Sequence, residues 1–253
     1  MLKASMRAWI FSDLHLTNSQ SPLYRSLLEV LKEPSGAQDS VVFSGDIFDL
    51  LVGDSPYFKH KFSELFTAID QCVKNGVRVF YIEGNHDFNL SRLFPAEVRF
   101  EDEAVILTDE TSGKTIYIAH GDLVDPSDTD YLRLRGFLRS KVLRALTHLV
   151  PGPWIERIGL RFSRPGEQKS ADLPENWPVG QRDALRTIYR SFAEKQKRLG
   201  FDYIVLGHCH DLDEMTPFYF NMGFPPVHRQ FLFFDSSVSS EKELLKRRKF
   251  LGV

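Results

Sequence analysis

The feature that most constrains this chain is a set of five short polar motifs, each directly after an apolar run that predicts a β-strand. Five of the eight histidines fall inside these motifs. In chain order the motifs are Asp13-Leu14-His15, Gly45-Asp46-Ile47-Phe48-Asp49, Gly84-Asn85-His86-Asp87, His120-Gly121-Asp122 and Gly207-His208-Cys209-His210. Because ligands of α/β sheets bind beyond the carboxyl ends of the strands, we expect the five motifs to converge there.

Apolar strand-like runs alternate with amphipathic helices in the first half of the chain, which is typical of βα units. We predict strands at 7–12, 41–44, 77–82, 203–207 and 231–235, and β-hairpins at 98–119. Helices are predicted at 22–32, 58–75 and 241–249. At 253 residues, one α/β domain spanning 1–253 is favoured over two equal domains.

Composition excludes several classes of protein. With 42% hydrophobic and 26% charged residues, the chain does not have the composition of a disordered protein. The two cysteines, Cys72 and Cys209, exclude a disulfide scaffold. No apolar run reaches the roughly 18–20 residues that span a bilayer, so we expect no transmembrane helix. The net charge of −2 argues against a dedicated nucleic-acid binder.

The residue types in the motifs predict a site for divalent cations. Imidazole and carboxylate are ligands of Mn²⁺, Fe²⁺ and Zn²⁺, whereas a closed structural zinc site uses cysteines. The spacing in Asp13-x-His15 and His208-x-His210 places both side chains on one face of an extended segment. Asp46 has two oxygens with which to bridge two ions. Each motif alone is also explained by an ordinary turn, and only the five together indicate a metal site.

This ordered set resembles the calcineurin-like metallophosphoesterase superfamily, whose pattern is D-x-H, G-D-x-x-D, G-N-H-D/E, a downstream H and G-H-x-H. The resemblance implies an α/β fold, a two-sheet sandwich of βαβαβ type flanked by helices. It also implies a hydrolase with two divalent metal ions, with Mn²⁺ favoured over Fe²⁺ or Zn²⁺. The implied mechanism is attack on phosphorus by a hydroxide that bridges the two ions.

The resemblance assigns roles residue by residue. The implied metal ligands are Asp13, His15, Asp46 and His210 at one ion, and Asp46, Asn85, His120 and His208 at the other. Asn85 and His86 are the implied catalytic residues, with His86 beside the substrate phosphate as a charge stabiliser or general acid. The carboxylates expected to orient the ligands are Asp49, Asp87 and Asp122.

A basic and apolar segment separates the fourth motif from the fifth. Between residues 131 and 164, eight Arg and Lys stand against one acid, Glu156. Apolar residues recur there at helical spacing, namely Leu134, Leu138, Val142, Leu146 and Leu149. Such a helix packs by its apolar face, binds an anionic polymer or lies on a membrane. We interpret residues 123–200 as a helical cap over the metal centre that recruits an amphiphilic phosphate ester, with Arg139 and Arg144 facing the lipid.

Residues 120–165 carry a narrower resemblance, to the UDP-2,3-diacylglucosamine hydrolases of lipid A biosynthesis. After His120-Gly121-Asp122 come an acidic turn at 125–130, Tyr131, a basic helix and Leu149-Val150-Pro151. Those enzymes release UMP and 2,3-diacylglucosamine 1-phosphate. The resemblance implies a cytoplasmic protein, peripheral on the inner face of the bacterial inner membrane. The implied substrate contacts are Asn85, His86, Tyr131, Ser163, Lys169 and His208.

His86 departs from the lipid hydrolases, which carry Arg at this position. The alternative function is therefore a soluble metallophosphodiesterase or phosphatase that acts on nucleotide or sugar phosphates. A non-enzymatic membrane-docked protein and a nuclease are further alternatives, the latter marked by salt-dependent binding of nucleic acid. We expect a monomer or small homo-oligomer without a nucleic-acid partner.

Overall fold

Two β-sheets packed face to face form the centre of the molecule. The computed structural model describes residues 5–140, 142–143, 145, 150–162, 172–238 and 240–252. Its strands are β1 Arg7–Phe11, β2 Asp39–Ser44, β3 Leu51–Val52, β4 Arg78–Ile82, β5 Asp87–Phe88, β6 Arg99–Glu101, β7 Ala104–Thr108, β8 Thr115–Ala119, β9 Tyr203–Leu206, β10 Glu214–Met215, β11 Tyr219–Asn221, β12 Gln230–Asp235 and β13 Leu245–Lys249. Its helices are α1 Pro22–Val30, α2 Pro56–Lys61, α3 Ser63–Lys74, α4 Thr129–Leu138, α5 Gly152–Phe162, α6 Val179–Arg198, α7 Pro225–His228 and α8 Glu241–Leu244, with 3₁₀ turns at Ser91–Leu93 and Pro174–Asn176.

Sheet one has the strand order β13-β12-β1-β2-β4-β6, and sheet two the order β10-β11-β9-β8-β7. Side chains of β1 alternate between two cores, as the period of a strand requires. Ala8 and Ile10 pack between the sheets, whereas Trp9 and Phe11 pack on the side of α1 and α3. The outer face of sheet two packs against α6 through Tyr189 and its neighbours. The layers are thus helix, sheet, sheet and helix, which confirms the predicted α/β class.

The direction of the strands brings the polar motifs together. In sheet one β1, β2 and β4 are parallel neighbours, and in sheet two β8 and β9 are parallel. Each of these five strands ends one to three residues before a polar motif. The carboxyl ends of both sheets therefore supply the loops of one site.

Two predicted elements are divided differently in the structure. The helix predicted at 58–75 is two helices, α2 and α3, because Phe62 leaves the helical conformation (φ −116°, ψ 31°) and packs its ring 4.7 Å from that of Phe48. The predicted hairpins at 98–119 are one hairpin of β7 and β8, while β6 pairs in parallel with β4 in the other sheet.

The helix predicted at 241–249 is wrong beyond Leu244. Residues Leu245–Lys249 form β13, which pairs antiparallel with β12 at the edge of sheet one. The guanidinium of Arg248 lies 5.3 Å from the ring centroid of Phe231 and pairs with Glu33. The basic run is a strand because β12 offers both a hydrogen-bonding edge and aromatic rings for its cations.

The segment between the fourth and fifth motifs is helical where the structure describes it, but its predicted apolar stripe is not a buried face. Helix α4 ends at Leu138, and Leu134 and Val142 are 53% and 68% exposed. Leu146 and Leu149 lie outside the described residues. The described part of α4 therefore displays apolar side chains on its surface.

Candidate metal centre

The polar loops hold several residues in left-handed backbone conformations. Those in the motifs are Asp13 (φ 54°), His15 (44°), Asp46 (54°), His208 (68°) and His210 (57°). For a residue with a side chain this costs on the order of 1–3 kcal/mol and persists only where the surroundings impose it. Backbone bonds do so here, since Asp13 N–H donates to the Gly45 carbonyl at 3.1 Å and His15 N–H to the Asp46 carbonyl at 3.0 Å. Strain at five predicted metal ligands points to a functional site.

Apart from an overlapping group of His15, Asp49 and His86, the candidate metal ligands fall into two clusters, and Asp13, His15 and His210 form the first. One ligand atom from each lies within 4.8 Å of the others. His210 Nε2 is 3.4 Å from Asp13 Oδ1 and 3.1 Å from His15 Nε2. Both Asp13 and His15 are buried. Two imidazole nitrogens and a carboxylate that converge in this way suit a divalent transition metal.

Asp46, His120 and His208 form the second cluster, within the same limit. His120 Nδ1 donates to the Ser44 carbonyl at 3.0 Å, which leaves Nε2 for the cluster. Asn85 Oδ1 lies 3.3 Å from that Nε2. His208 Nδ1 is buried and has no hydrogen-bond partner among the described residues. A metal at this cluster would satisfy that nitrogen, which is otherwise costly to bury.

Asp46 lies between the two clusters. Its Oδ2 is 3.8 Å from His15 Nε2 and 3.7 Å from His120 Nε2, so one carboxylate oxygen faces both. Its Oδ1 accepts the His86 backbone N–H at 2.9 Å, which fixes the orientation of the carboxylate. A carboxylate placed in this way suits two ions that share a ligand. The residues present therefore fit a pair of divalent cations.

Burial and charge shift the pKa values of the clustered residues; burial lowers the pKa of His120, but Asp46 and Asp13 outweigh it and raise it. Burial lowers the pKa of His15 and of His208 to about 4, so both rings are neutral at pH 7. Burial opposes ionisation of Asp46, but the nearby His86 and His120 outweigh it and lower the pKa of its carboxyl. Neutral imidazoles beside ionised carboxylates are the forms that bind divalent cations.

Two glycines allow the loops to approach the carboxylates. A Cβ on Gly84 would lie 2.1 Å from Asp46 Oδ1, and one on Gly207 would lie 2.2 Å from Asp13 Oδ2. No side chain fits at these distances, so the loops after β4 and β9 require glycine here.

Asp87 joins the loops of the second and third motifs. Its Oδ1 accepts the backbone N–H groups of Asp46 at 3.0 Å and Gly84 at 2.9 Å. Its Oδ2 accepts the Ile47 N–H at 2.7 Å and the Tyr81 hydroxyl at 2.6 Å. The carboxylate thus orients the Asp46 loop through its backbone.

His86 lies beside the first cluster. Its ring meets that of His15 edge-on, with centroids 4.8 Å apart. His86 Nδ1 donates to the Asp49 carbonyl at 2.8 Å, which leaves Nε2 for another partner. Asp49 Oδ1 is in turn 3.4 Å from His15 Nδ1. The half-buried His86 ring is therefore fixed at the edge of the metal centre.

Tyr131 reaches the centre through Asp122. Its hydroxyl donates to Asp122 Oδ2 at 2.8 Å, and its ring centroid is 5.5 Å from that of His208. Arg135 Nε donates to the same carboxylate oxygen at 2.6 Å. Helix α4 is thereby attached to the loop of the fourth motif.

Two of the predicted substrate contacts, Ser163 and Lys169, lie outside the described residues. The other predicted site residues are brought together by the loops. Their roles as ligands and substrate contacts stay predictions.

Arg139 has a different position from the one expected. Its Nη2 donates to the carbonyl oxygens of Glu83 at 2.5 Å and Gly84 at 3.3 Å. Arg139 therefore supports the loop that presents Asn85, and it does not face outward as a lipid-binding cation. Arg144, the other arginine that was predicted to face the lipid, lies outside the described residues.

Phe224 is a site residue that the sequence did not reveal. Its buried ring lies 4.6 Å from the His210 ring and 5.6 Å from the His15 ring, centroid to centroid. The Phe224 N–H donates to His228 Nδ1 at 2.7 Å. Phe224 belongs to none of the five motifs, so only its packing in the structure identifies it as a residue of the site.

Three arginines on successive turns of α6 hold the segment after the fifth motif. Arg182 Nη2 lies 2.7 Å from Asp211 Oδ1, and Arg186 Nε lies 2.5 Å from Asp211 Oδ2. Arg190 Nη2 lies 2.5 Å from Asp213 Oδ1. We call these five residues the arginine clamp. Their spacing of four places the arginines on one helix face, a signal that was available in the sequence.

Residues 6–212 match the sequence profile of the family described as calcineurin-like phosphoesterase. The chain belongs to this family. The phosphoesterase is therefore a metal-dependent hydrolase, in agreement with the donor set of the two clusters. The matched range contains all members of both clusters.

Three similar curated proteins share one name. The chain is 28% identical over 212 residues to the UDP-2,3-diacylglucosamine hydrolase of Neisseria meningitidis serogroup B, covering 80% of this chain and 82% of the relative. It is 25% identical over 210 residues to the enzyme of that name from Haemophilus ducreyi, covering 81% and 84%. It is 27% identical over 206 residues to that of Photorhabdus laumondii, covering 79% and 80%. The phosphoesterase is thus similar over most of its length to enzymes with this name.

A solved structure of a protein of unknown function from Aquifex aeolicus superposes with a TM-score of 0.40 at 15% identity, covering 85% of this chain and 89% of that one. Within the described part of the phosphoesterase, no helix has both the length and the apolar character needed to cross a membrane.

Proposed function

We propose that this phosphoesterase hydrolyses the diphosphate of UDP-2,3-diacylglucosamine to UMP and 2,3-diacylglucosamine 1-phosphate. The names of its relatives support this substrate. The observation that carries the proposal is a largely apolar cavity of about 180 Å³ beside Asn85, lined in part by Phe88, Leu134, Leu138 and Arg139. An acyl chain of the substrate bound there would bring the phosphate on the same sugar towards Asn85.

The assignment of metal ligands follows the two clusters. We assign Asp13, His15, Asp46 and His210 to one cation, and Asp46, Asn85, His120 and His208 to the other. Two such ions, with Mn²⁺ proposed, would lower the pKa of a bound water and stabilise charge on the phosphoryl oxygens. Asp46 holds the two halves of the centre in register because its carboxylate faces both.

Asn85 and His86 are the proposed catalytic residues. The Asn85 side chain has an amide N–H₂ that donates to a phosphoryl oxygen while its Oδ1 stays near His120. His86 gives its Nδ1–H to Asp49, so in the protonated ring Nε2–H donates to a phosphoryl oxygen or to the leaving group. Both donors act without a covalent intermediate on the chain.

We propose that residues 123–200 act as a cap within a single domain of residues 1–253. Helix α4 is attached through Arg139. Helix α5 is attached through Glu156, which accepts the Tyr57 hydroxyl at 2.5 Å and pairs with Lys61. The one acid in the basic segment thus serves as an anchor, and the arginine clamp attaches α6.

The outer surface of α4 and α5 supports a peripheral position on a membrane. Leu134, Phe137 and Trp154 are 53%, 60% and 68% exposed. The side chain of Arg133, the neighbour of Leu134 in α4, is 81% exposed and lies 3.5 Å from the exposed Asp130. Exposed apolar side chains next to cations favour a surface of anionic lipid. We therefore propose that the protein takes its substrate from the cytoplasmic face of a bacterial membrane.

The proposal is tested by UMP release from UDP-2,3-diacylglucosamine by Mn²⁺-loaded protein. UDP-N-acetylglucosamine and an aryl phosphodiester serve as comparison substrates, and Asp46→Asn gives the background. We expect a preference above about tenfold for the acylated nucleotide, since two buried methylenes alone account for that factor. Similar rates on all three, or turnover of the aryl ester alone, would indicate the soluble phosphodiesterase instead.

A further inference from the structure

A second cavity opens beside the metal centre, next to His208 and His210. Its volume is about 330 Å³, and Tyr131 lines both it and the smaller apolar cavity beside Asn85. A volume of this size is at the lower end of those that bind small organic ligands. The metal centre is therefore flanked by two cavities, as a substrate with two unlike ends requires.

One wall of this cavity, which we call the Trp177 pocket, is aromatic and aliphatic. Trp177, Leu185 and Ile188 line it, the last two from helix α6. The indole N–H of Trp177 donates to the Asp172 carbonyl at 2.8 Å, which fixes the ring while its face is half-exposed. A fixed and half-exposed indole is a stacking platform for a flat ring.

The Trp177 side is held in place before any ligand binds. The 3₁₀ turn Pro174–Asn176 precedes it, and the Trp177 N–H donates to the Pro174 carbonyl at 3.1 Å. Glu175 in that turn pairs with His228 of α7. The platform is thus attached to α7 through Glu175, and it directly precedes α6 in the chain.

The pocket is also lined by the carboxylates of Asp125 and Asp128, which are hydrogen-bond acceptors. Asp125 Oδ1 accepts the backbone N–H and hydroxyl of Ser127 at 2.9 and 2.6 Å, and Asp128 Oδ1 accepts the Tyr131 N–H at 3.0 Å. Each carboxylate has a second oxygen that accepts hydrogen bonds from a ligand. Carboxylates repel phosphate, so the ligand part in this pocket is uncharged and carries hydroxyl groups.

We propose that the Trp177 pocket binds the nucleoside end of the substrate. The base stacks on Trp177, and the ribose hydroxyls donate to Asp125 and Asp128. The phosphate of that end then lies at His208 and His210. This inference rests on the proposed function for the identity of the nucleoside, and it divides the substrate between two cavities with the diphosphate between them.

The test is calorimetric titration of Mn²⁺-loaded protein with UMP and, separately, with inorganic phosphate. In Trp177→Ala the Kd of UMP should rise about tenfold or more, because a base-stacking contact is lost, while the Kd of phosphate stays unchanged. Trp177→Phe should retain most of the affinity for UMP. Trp154→Ala, which removes an exposed tryptophan outside the pocket, is the matched control and should leave both values unchanged.

A second variant, Asp125→Ala, changes an exposed loop and should raise the Kd of UMP without changing that of phosphate. Equal UMP affinity in Trp177→Ala and Trp154→Ala would overturn the inference. A parallel loss of UMP and phosphate affinity would overturn it too, since that indicates damage to the metal centre. Failure of the proposed function is separate, because the wild-type protein would then bind UMP without cleaving the acylated nucleotide.

Discussion

Asp46 is the residue on which both ligand clusters depend. Its Oδ2 lies within 4 Å of a histidine of each cluster. In Asp46→Asn the charge and one oxygen ligand disappear while the shape is kept. We expect the bound Mn²⁺ to fall below the wild-type content, with a loss of affinity of about 10–100-fold or more and little turnover.

Metal content after dialysis, measured by mass spectrometry, checks the Asp46 prediction. Asp70→Asn is the control, because Asp70 is half-exposed and pairs only with Lys74 among the ion pairs described. Wild-type metal content together with wild-type turnover in Asp46→Asn would contradict the assignment.

Asp87 is a single residue that stabilises the folded, metal-free protein. It is fully buried and accepts four backbone N–H groups and the Tyr81 hydroxyl. In Asp87→Asn an amide N–H₂ replaces one acceptor, so at least one buried donor loses its partner. We expect the free energy of unfolding of the metal-free protein to fall by about 1–3 kcal/mol in urea titrations. Asp70→Asn should change it by less than about 0.5 kcal/mol, and an equal loss in both would refute the role of Asp87.

At the scale of elements, the arginine clamp connects helix α6 to the loop with two predicted ligands. Asp211 is buried and directly follows His210 in the chain. In Arg186→Gln the Asp211 carboxylate keeps only Arg182, so the strained loop is held less firmly. We expect the Kd for Mn²⁺ to rise roughly tenfold. This is the lower end of the loss of metal affinity that follows when a residue supporting a metal ligand is changed.

Calorimetric Mn²⁺ titration checks the clamp, with Arg198→Gln as the control on the same helix. Arg198 is exposed and faces Glu194 at 3.7 Å, away from the loop. The two variants should differ in metal affinity more than in thermal stability. Identical Mn²⁺ affinity in both would show that the clamp does not act on the centre.

The elements that were predictable from sequence are those whose pattern is local. β1, β2, β4 and β9 are continuous apolar runs, because both faces of each strand are buried. β13 was not predictable, since its residues Leu245–Lys249 read as a charged helix. Its strand conformation depends on pairing with β12 and on the rings of Phe231 and Phe233, which lie elsewhere in the sequence.

At the scale of the whole molecule, the candidate metal centre draws its predicted ligands from loops of both sheets. Asp13 and Asp46 follow strands of sheet one, whereas His120 and His208 follow strands of sheet two. Bound cations would therefore stabilise the pairing of the sheets. At a free Mn²⁺ concentration of 100 Kd for a site, the expected gain is about 2.7 kcal/mol per site.

Thermal unfolding with and without a chelator measures this gain. We expect the midpoint to fall when the metal is removed and to return when Mn²⁺ is added back. In Asp46→Asn, removing and restoring Mn²⁺ should shift the unfolding midpoint less than in the wild-type protein. A wild-type midpoint that does not depend on Mn²⁺ would contradict a centre shared by the sheets.

More of the candidate site could be predicted from the sequence than of the cavities around it. Four of the five motifs combine predicted ligands with a glycine, and two of these glycines lie where no side chain fits, in Gly84-Asn85 and Gly207-His208. The two cavities could not be predicted, because their walls come from distant segments. Trp177, Asp125 and Ile188 meet only when α6 packs on sheet two.

The wide separation of the ligands also has a consequence for the newly made chain. His15 and His210 are 195 residues apart, yet their ring nitrogens lie 3.1 Å from each other. At 5–20 residues per second, a ribosome makes His210 roughly 10–40 s after His15. Strand β12, which pairs with β1, follows later still. A chain terminated before His210 therefore lacks the first cluster and could not hold the cation proposed there.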